Sequence, residues 1–101
     1  MYNRFELAKD FAEKIKSDDV KLIILYGSVA RGQDTPESDI DILIVSKNVD
    51  ELRSKVNELA VDVILDYGEI ISPHLMTEDH FNKTKDFLFL SNVLKEGVVL
   101  G

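Results

Sequence analysis

Two acids one residue apart, Asp39 and Asp41, follow a glycine-serine pair, Gly27-Ser28, and a lone cation, Arg31. Side chains alternate faces along a strand, so two acids at this spacing point the same way, with Cα atoms roughly 6.5–7 Å apart. Carboxylates converging from there can hold a divalent metal, which prefers oxygen ligands. Gly27 lets backbone approach a phosphate closely, where any side chain would intrude. Ser28 can offer a hydroxyl to a β- or γ-phosphate, and Arg31 can pair with a triphosphate. Each part alone has a blander reading. An Ile-Asp alternation is usually a solvated strand face, Gly-Ser is a common turn, and an exposed arginine can pair with Asp34 or Glu37 on the surface. The glycines do not form a P-loop, because G-x-x-x-x-G-K-[ST] is absent.

Taken together the parts are more specific. Gly27-Ser28-Val29-Ala30-Arg31-Gly32, then Gln33 to Glu37, then Ser38-Asp39-Ile40-Asp41 resembles the signature of the DNA polymerase β-like nucleotidyltransferases, in particular the minimal members of bacteria and archaea. The motif covers about a sixth of the chain, and length and element order also look like a minimal member. The resemblance implies an α/β (α+β) fold with a small mixed sheet and helices packed on one face, with residues 1–101 as a single nucleotidyltransferase domain. It implies Asp39 and Asp41 as catalytic metal ligands, with Gly27, Ser28, Arg31 and Ser38 binding nucleotide. The expected cofactor is Mg²⁺ or Mn²⁺, and the substrate a nucleoside triphosphate. The expected reaction is transfer of a nucleotidyl group, AMP from ATP, to a hydroxyl acceptor. Minimal members are often encoded beside an all-helical HEPN-type partner as an antitoxin–toxin pair, in which the partner can be the acceptor. The alternative is a catalytically inactive module that binds nucleotide or masks a partner.

The family usually adds a third carboxylate on the next strand, where it helps activate the attacking hydroxyl. Here that acid is not settled by sequence. Val49, Leu52, Val56, Leu59, Ala60, Val63, Ile64 and Tyr67 form a helical stripe closed by Gly68. One helix over Val49–Tyr67 leaves Glu69 as the only acid near the third strand, Glu69–Met76. Ending the helix near Leu59 makes Val61–Leu65 a strand and restores Asp62 as the third ligand. The long helix is favoured, with Asp62 and Asp66 on its polar side. His74 can act as a base in principle, but a lone histidine is more often structural.

Other elements must position these groups. Asn3 with Glu6 reads as a capping box for a helix over Arg4–Lys16. Val20–Tyr26 is an almost wholly apolar, β-branched run, expected as a central strand. Ile40–Ser46 is the acid-bearing strand, with Ile40, Ile42 and Ile44 facing away from the acids. Pro73 demotes the third strand to an edge. Short helices are expected over Glu78–Lys83 and Phe87–Glu96, and Val98–Leu100 as a last strand. Phe87, Phe89, Leu90, Val93 and Leu94 exceed what a short exposed helix can bury, so most are expected in the core, and a partner face is expected to draw on Phe87, Phe89 or Val93.

At 101 residues the chain can build one modest core, with no room for a second substrate domain. A transferase this small must borrow part of its site from a partner or from a second copy in a homodimer. The net charge of −7 and the scattered basic residues argue against direct nucleic-acid binding. No cysteine is present, which removes disulfides, zinc thiolates and thiol nucleophiles. No apolar run is long enough to span a membrane. These features fit a cytoplasmic protein.

Overall fold

A computed structural model describes residues 3–101. The elements are α1 (Arg4–Ile15), β1 (Val20–Tyr26), α2 (Gly27–Ala30), β2 (Ile40–Ser46), α3 (Val49–Tyr67), β3 (Ile71–Thr77), α4 (Glu78–Thr84), α5 (Leu88–Glu96) and β4 (Val98–Val99). The strands form one mixed sheet in the order β3-β2-β1-β4. β1 runs antiparallel to both β2 and β4, while β2 and β3 are parallel. The parallel pair needs a crossover, and α3 supplies it.

Local chemistry accounts for most boundaries. The Asn3 side chain accepts hydrogen bonds from the N–H groups of Phe5 and Glu6 and starts α1. Asn48 accepts from Asp50 N–H at the start of α3, and Gly68 ends it in the left-handed conformation, φ 69°. Val61–Leu65 is therefore helical, and the competing strand is ruled out. Thr77 caps α4 through His80 N–H. Asp86 does not cap α5, which begins one residue later than expected, with Phe87 at the cap position and no side-chain bond there. Pro73 lies on the edge strand, where a missing N–H leaves no ladder partner unsatisfied on its open side.

The main core lies between one face of the sheet and helices α1 and α3. Ile23, Leu25, Ile40, Ile42 and Ile44 meet Phe11, Ile15 and Val56 there, all essentially inaccessible to solvent. Truncating one of these to alanine costs about 2–5 kcal/mol, so this layer carries the fold. The expectation of helices on one face describes α1 and α3. The other face is covered in part by α5, where Leu90 and Val93 pack on Ile24, Leu43, Val45 and Met76. Val93 is thus a core residue and not part of a partner face. Phe87 and Phe89 are exposed, as are Leu88 and Leu94, so α5 buries fewer of its apolar residues than expected. Helical phase is the reason: Leu90 and Val93, three apart, share the inward side. This second layer stops short of one end of the sheet, where the acids stand.

Candidate functional site

The antiparallel register places Tyr26, the last residue of β1, opposite Asp41. The chain then turns through Gly27 at φ 75° into the single helical turn of α2. That geometry brings Gly27 against the Asp41 carboxylate. A Cβ built on Gly27 would collide with Asp41 Oδ2. Glycine is therefore required twice, by its backbone conformation and by the acid occupying its side-chain space. The glycine-serine turn and the acid pair, separate in sequence, meet at one point on the face of the sheet that α5 covers only in part.

Asp39 is exposed and just precedes β2, while Asp41 is half-buried on the strand. Burial, and secondarily the neighbouring charge of Asp39, push the Asp41 carboxyl above its usual value; Arg31 partly offsets this. Burial first and Asp41 second also raise the Tyr26 hydroxyl. Ser28 is half-buried in α2, and Arg31 follows it at the surface. Arg31 does not pair with Asp34 or Glu37. Its Nη1 lies 3.6 Å from Glu96 of α5, and its Nε donates to Gln33 Oε1 at 3.3 Å. Both are long contacts that leave the guanidinium able to take another anion. Ser38 does not reach the acids by a hydrogen bond. Its Oγ accepts from Thr35 N–H at 2.9 Å and its N–H donates to Thr35 O at 3.0 Å, which closes the loop ahead of Asp39.

Glu69, the nearest acid in the sequence to the third strand, is engaged elsewhere. Its carboxylate accepts from Arg4 Nε at 2.8 Å. Arg4 also donates to Asp34 at 2.9 Å and to the carbonyls of Thr35 and Pro36. Arg4 thereby ties α1 to the loop bearing Ser38 and to the start of β3, a role absent from the sequence expectations. No local pattern marks it, since its partners lie 30 to 65 residues away. A cavity of about 600 Å³ is walled by this same group. Its charged side chains, Arg4, Asp34 and Glu69, are already paired with one another, so the acid pair beside Gly27 is the better chemical site. Asp62 and Asp66 line a groove between α3 and α1, in the other layer. The β3 residue paired with Asp41 is Ser72, followed on the same face by His74. Among the described residues no group of three or more His, Cys, Asp or Glu could hold a metal. Two carboxylates still fit a magnesium ion, which keeps several waters and takes substrate phosphates as further ligands.

The raised Asp41 carboxyl has a consequence for stability. The folded state holds this proton more tightly than the unfolded chain does. Its contribution is therefore fully present below the ordinary carboxylate range, near roughly 4, and is lost as pH rises through the folded value. Asp41→Asn removes the buried charge, so in metal-free buffer at pH 7 it is expected to raise the melting temperature by about 2–4 °C. The gain shrinks as the wild type protonates in acid. Thermal melts across pH 3–8 check this; a mutant less stable than wild type at pH 7 contradicts it.

Comparison with known proteins agrees with the fold and the motif. The nucleotidyltransferase domain family matches residues 6–100. A protein of Methanocaldococcus jannaschii bearing the name putative protein adenylyltransferase is 44% identical over 101 residues, spanning 97% of this chain and 98% of its own. A second protein of that organism with the same designation is 34% identical over 98 residues, spanning 92% and 94%. Among solved structures, a toxin–antitoxin crystallised with AMP-PNP superposes with a TM-score of 0.62 at 20% identity, covering 99% of this chain and 73% of that one. A nucleotidyltransferase-like protein of Sulfolobus solfataricus, similar in fold, gives a TM-score of 0.52 at 21% identity, with 98% and 86% covered. With the family match running through nearly the whole length and through the turn and acid pair just described, this chain belongs to the nucleotidyltransferase domain family.

Proposed function

We propose that this chain transfers AMP from ATP to a hydroxyl on a partner protein, as the antitoxin-type subunit of a pair with a HEPN-type helical protein. The observation that carries the reading is the meeting of Gly27 with Asp41: a turn able to lie against phosphates is held on a half-buried acid beside a second acid. Asp39 and Asp41 would hold Mg²⁺ or Mn²⁺. Such an ion, when bound, neutralises charge on the α-phosphate and on the pyrophosphate leaving group. Gly27 and Ser28 receive the β- and γ-phosphates through backbone N–H and hydroxyl, since the first N–H groups of a helical turn have no internal acceptor. Arg31, loosely held by Glu96, turns to the same phosphates. The acceptor oxygen bonds to the α-phosphorus, the bond to the bridging oxygen of pyrophosphate breaks, and the hydroxyl proton passes to solvent or to a base.

A protein acceptor suits this chain for two reasons. The 600 Å³ cavity is walled by the paired Arg4, Asp34 and Glu69 and not by the acid pair, so the acceptor is left to a partner, which positions the hydroxyl by proximity in the complex. The chain's net charge of −7 also opposes a polyanion acceptor. The names of the Methanocaldococcus jannaschii relatives and the toxin–antitoxin neighbour support the same direction. Ser72 standing opposite Asp41, in place of an acid, favours one second reading: a nucleotide-binding module that masks its partner without catalysis. Incubation with α-labelled ATP and Mg²⁺ separates the readings, using the protein alone, with RNA oligonucleotides, and co-expressed with a HEPN-type helical protein. Label on the partner is expected. Label on RNA alone rejects the protein acceptor, and label on neither favours the masking module.

A further inference from the structure

Beside Gly27 and Arg31 a cleft of about 290 Å³ runs between the end of β1 and α5, with Tyr26, Phe89, Asn92 and Glu96 also on its walls. We propose that this cleft takes the nucleobase of the triphosphate, with Phe89 as its stacking platform and Asn92 as the group that reads it. The proposal rests on the nucleotidyl-transfer reading and adds to it where the base lies and what selects it.

The volume is at the lower bound for small-molecule sites, too small for a whole nucleoside triphosphate and suited to its nucleoside end. Glu96 also lines the cleft, 3.6 Å from Arg31 Nη1, and its carboxylate can accept from ribose hydroxyls. Gly27, on the cleft wall, lies against the Asp41 carboxylate. Phe89 is held in advance of any ligand. His74 stacks on it with ring centroids 5.4 Å apart and planes 27° apart, and Tyr26 meets it edge-on at 5.8 Å and 86°. Phe89 is thus fixed by two other rings and still 46% exposed, so part of it remains open to a further ring. Bases stack on such rings irrespective of identity. Discrimination then falls to Asn92, whose carboxamide offers one acceptor and two donors. It matches the adjacent donor and acceptor on an edge of adenine, whereas guanine presents two acceptors, O6 and N7, on its corresponding edge.

Calorimetric titration with Mg²⁺-ATP, Mg²⁺-GTP and Mg²⁺-tripolyphosphate tests this on wild type, Phe89→Ala, Phe89→Tyr and Asn92→Ala. Phe89→Ala is expected to weaken ATP about 5- to 100-fold while leaving tripolyphosphate unchanged. Phe89→Tyr retains ATP affinity, and Asn92→Ala brings the ATP-to-GTP affinity ratio toward one. Circular dichroism melts confirm that the exposed Phe89 and Asn92 variants fold. If wild type binds both ligands and Phe89→Ala weakens neither, the base lies elsewhere and this proposal falls while nucleotide binding stands. If Phe89→Ala leaves ATP affinity intact and lowers only transfer to the partner, the cleft serves the acceptor and the proposal is overturned. If wild type binds neither ATP nor tripolyphosphate, both this proposal and the reading beneath it fail.

Discussion

Replacing Asp39 and Asp41 together by asparagine is expected to lower nucleotidyl transfer by at least ~10³-fold while leaving the fold intact. Asparagine keeps the shape of aspartate but is a far weaker ligand for a hard divalent cation. The transferred phosphoryl group then meets its acceptor without charge neutralisation that is worth several kcal/mol, and each 1.36 kcal/mol is about tenfold in rate. The fold survives because Asp39 is exposed, Asp41 is only half-buried, and the change removes repulsion between like charges. A second readout does not depend on activity. Mg²⁺ or Mn²⁺ at about ten times its dissociation constant stabilises the wild type by about 1.4 kcal/mol, or roughly 5–10 °C in a domain of this size. The double variant should show no such shift. Equal metal-induced stabilisation of both proteins would remove the acid pair from the metal site.

Gly27→Ala carries the next largest effect, and it acts through geometry. Forcing a Cβ into the left-handed region costs about 1–2 kcal/mol, which lowers the melting temperature by roughly 5–15 °C. Gly68→Ala should cost a similar amount, since Gly68 has φ 69° and open space around its missing side chain. The difference between the two variants is the chemistry. At Gly27 the new methyl meets Asp41 Oδ2, and the acid must rotate away from the turn to admit it. A displacement of about 1 Å at a reacting centre can cost 10²-fold in rate. Gly27→Ala should therefore lose at least about 100-fold in transfer at a temperature where it is fully folded, while Gly68→Ala keeps wild-type turnover. Matched stability and matched activity in the two variants would show that the contact between Gly27 and Asp41 has no part in positioning the acid.

Much of this architecture is written locally in the chain. β1 and β2 occupy the residues their β-branched runs indicate, because such runs suit a buried pleated surface wherever they are placed. Asn3, Asn48 and Gly68 set helix ends through bonds and dihedrals that involve only their near neighbours. The meeting of Gly27 with Asp41 is also nearly local, since two antiparallel strands joined by one loop must bring the end of the first to the start of the second. Ion pairs are different, because any acid can meet any base that folding brings near. Asp34 and Glu69 looked available to Arg31 or to a metal, yet both belong to Arg4, distant in sequence and adjacent only once α1 lies across the loop and the start of β3. Apolar excess in α5 was legible, but which residues it would bury was not: Leu90 and Val93 turn inward and Phe89 outward because of where the helix crosses the sheet. The identity of the residue opposite Asp41 is the same kind of fact. The parallel register of β3 against β2, set with α3 packed on β3 as the crossover, puts Ser72 there, and no spacing within β3 itself could have specified it.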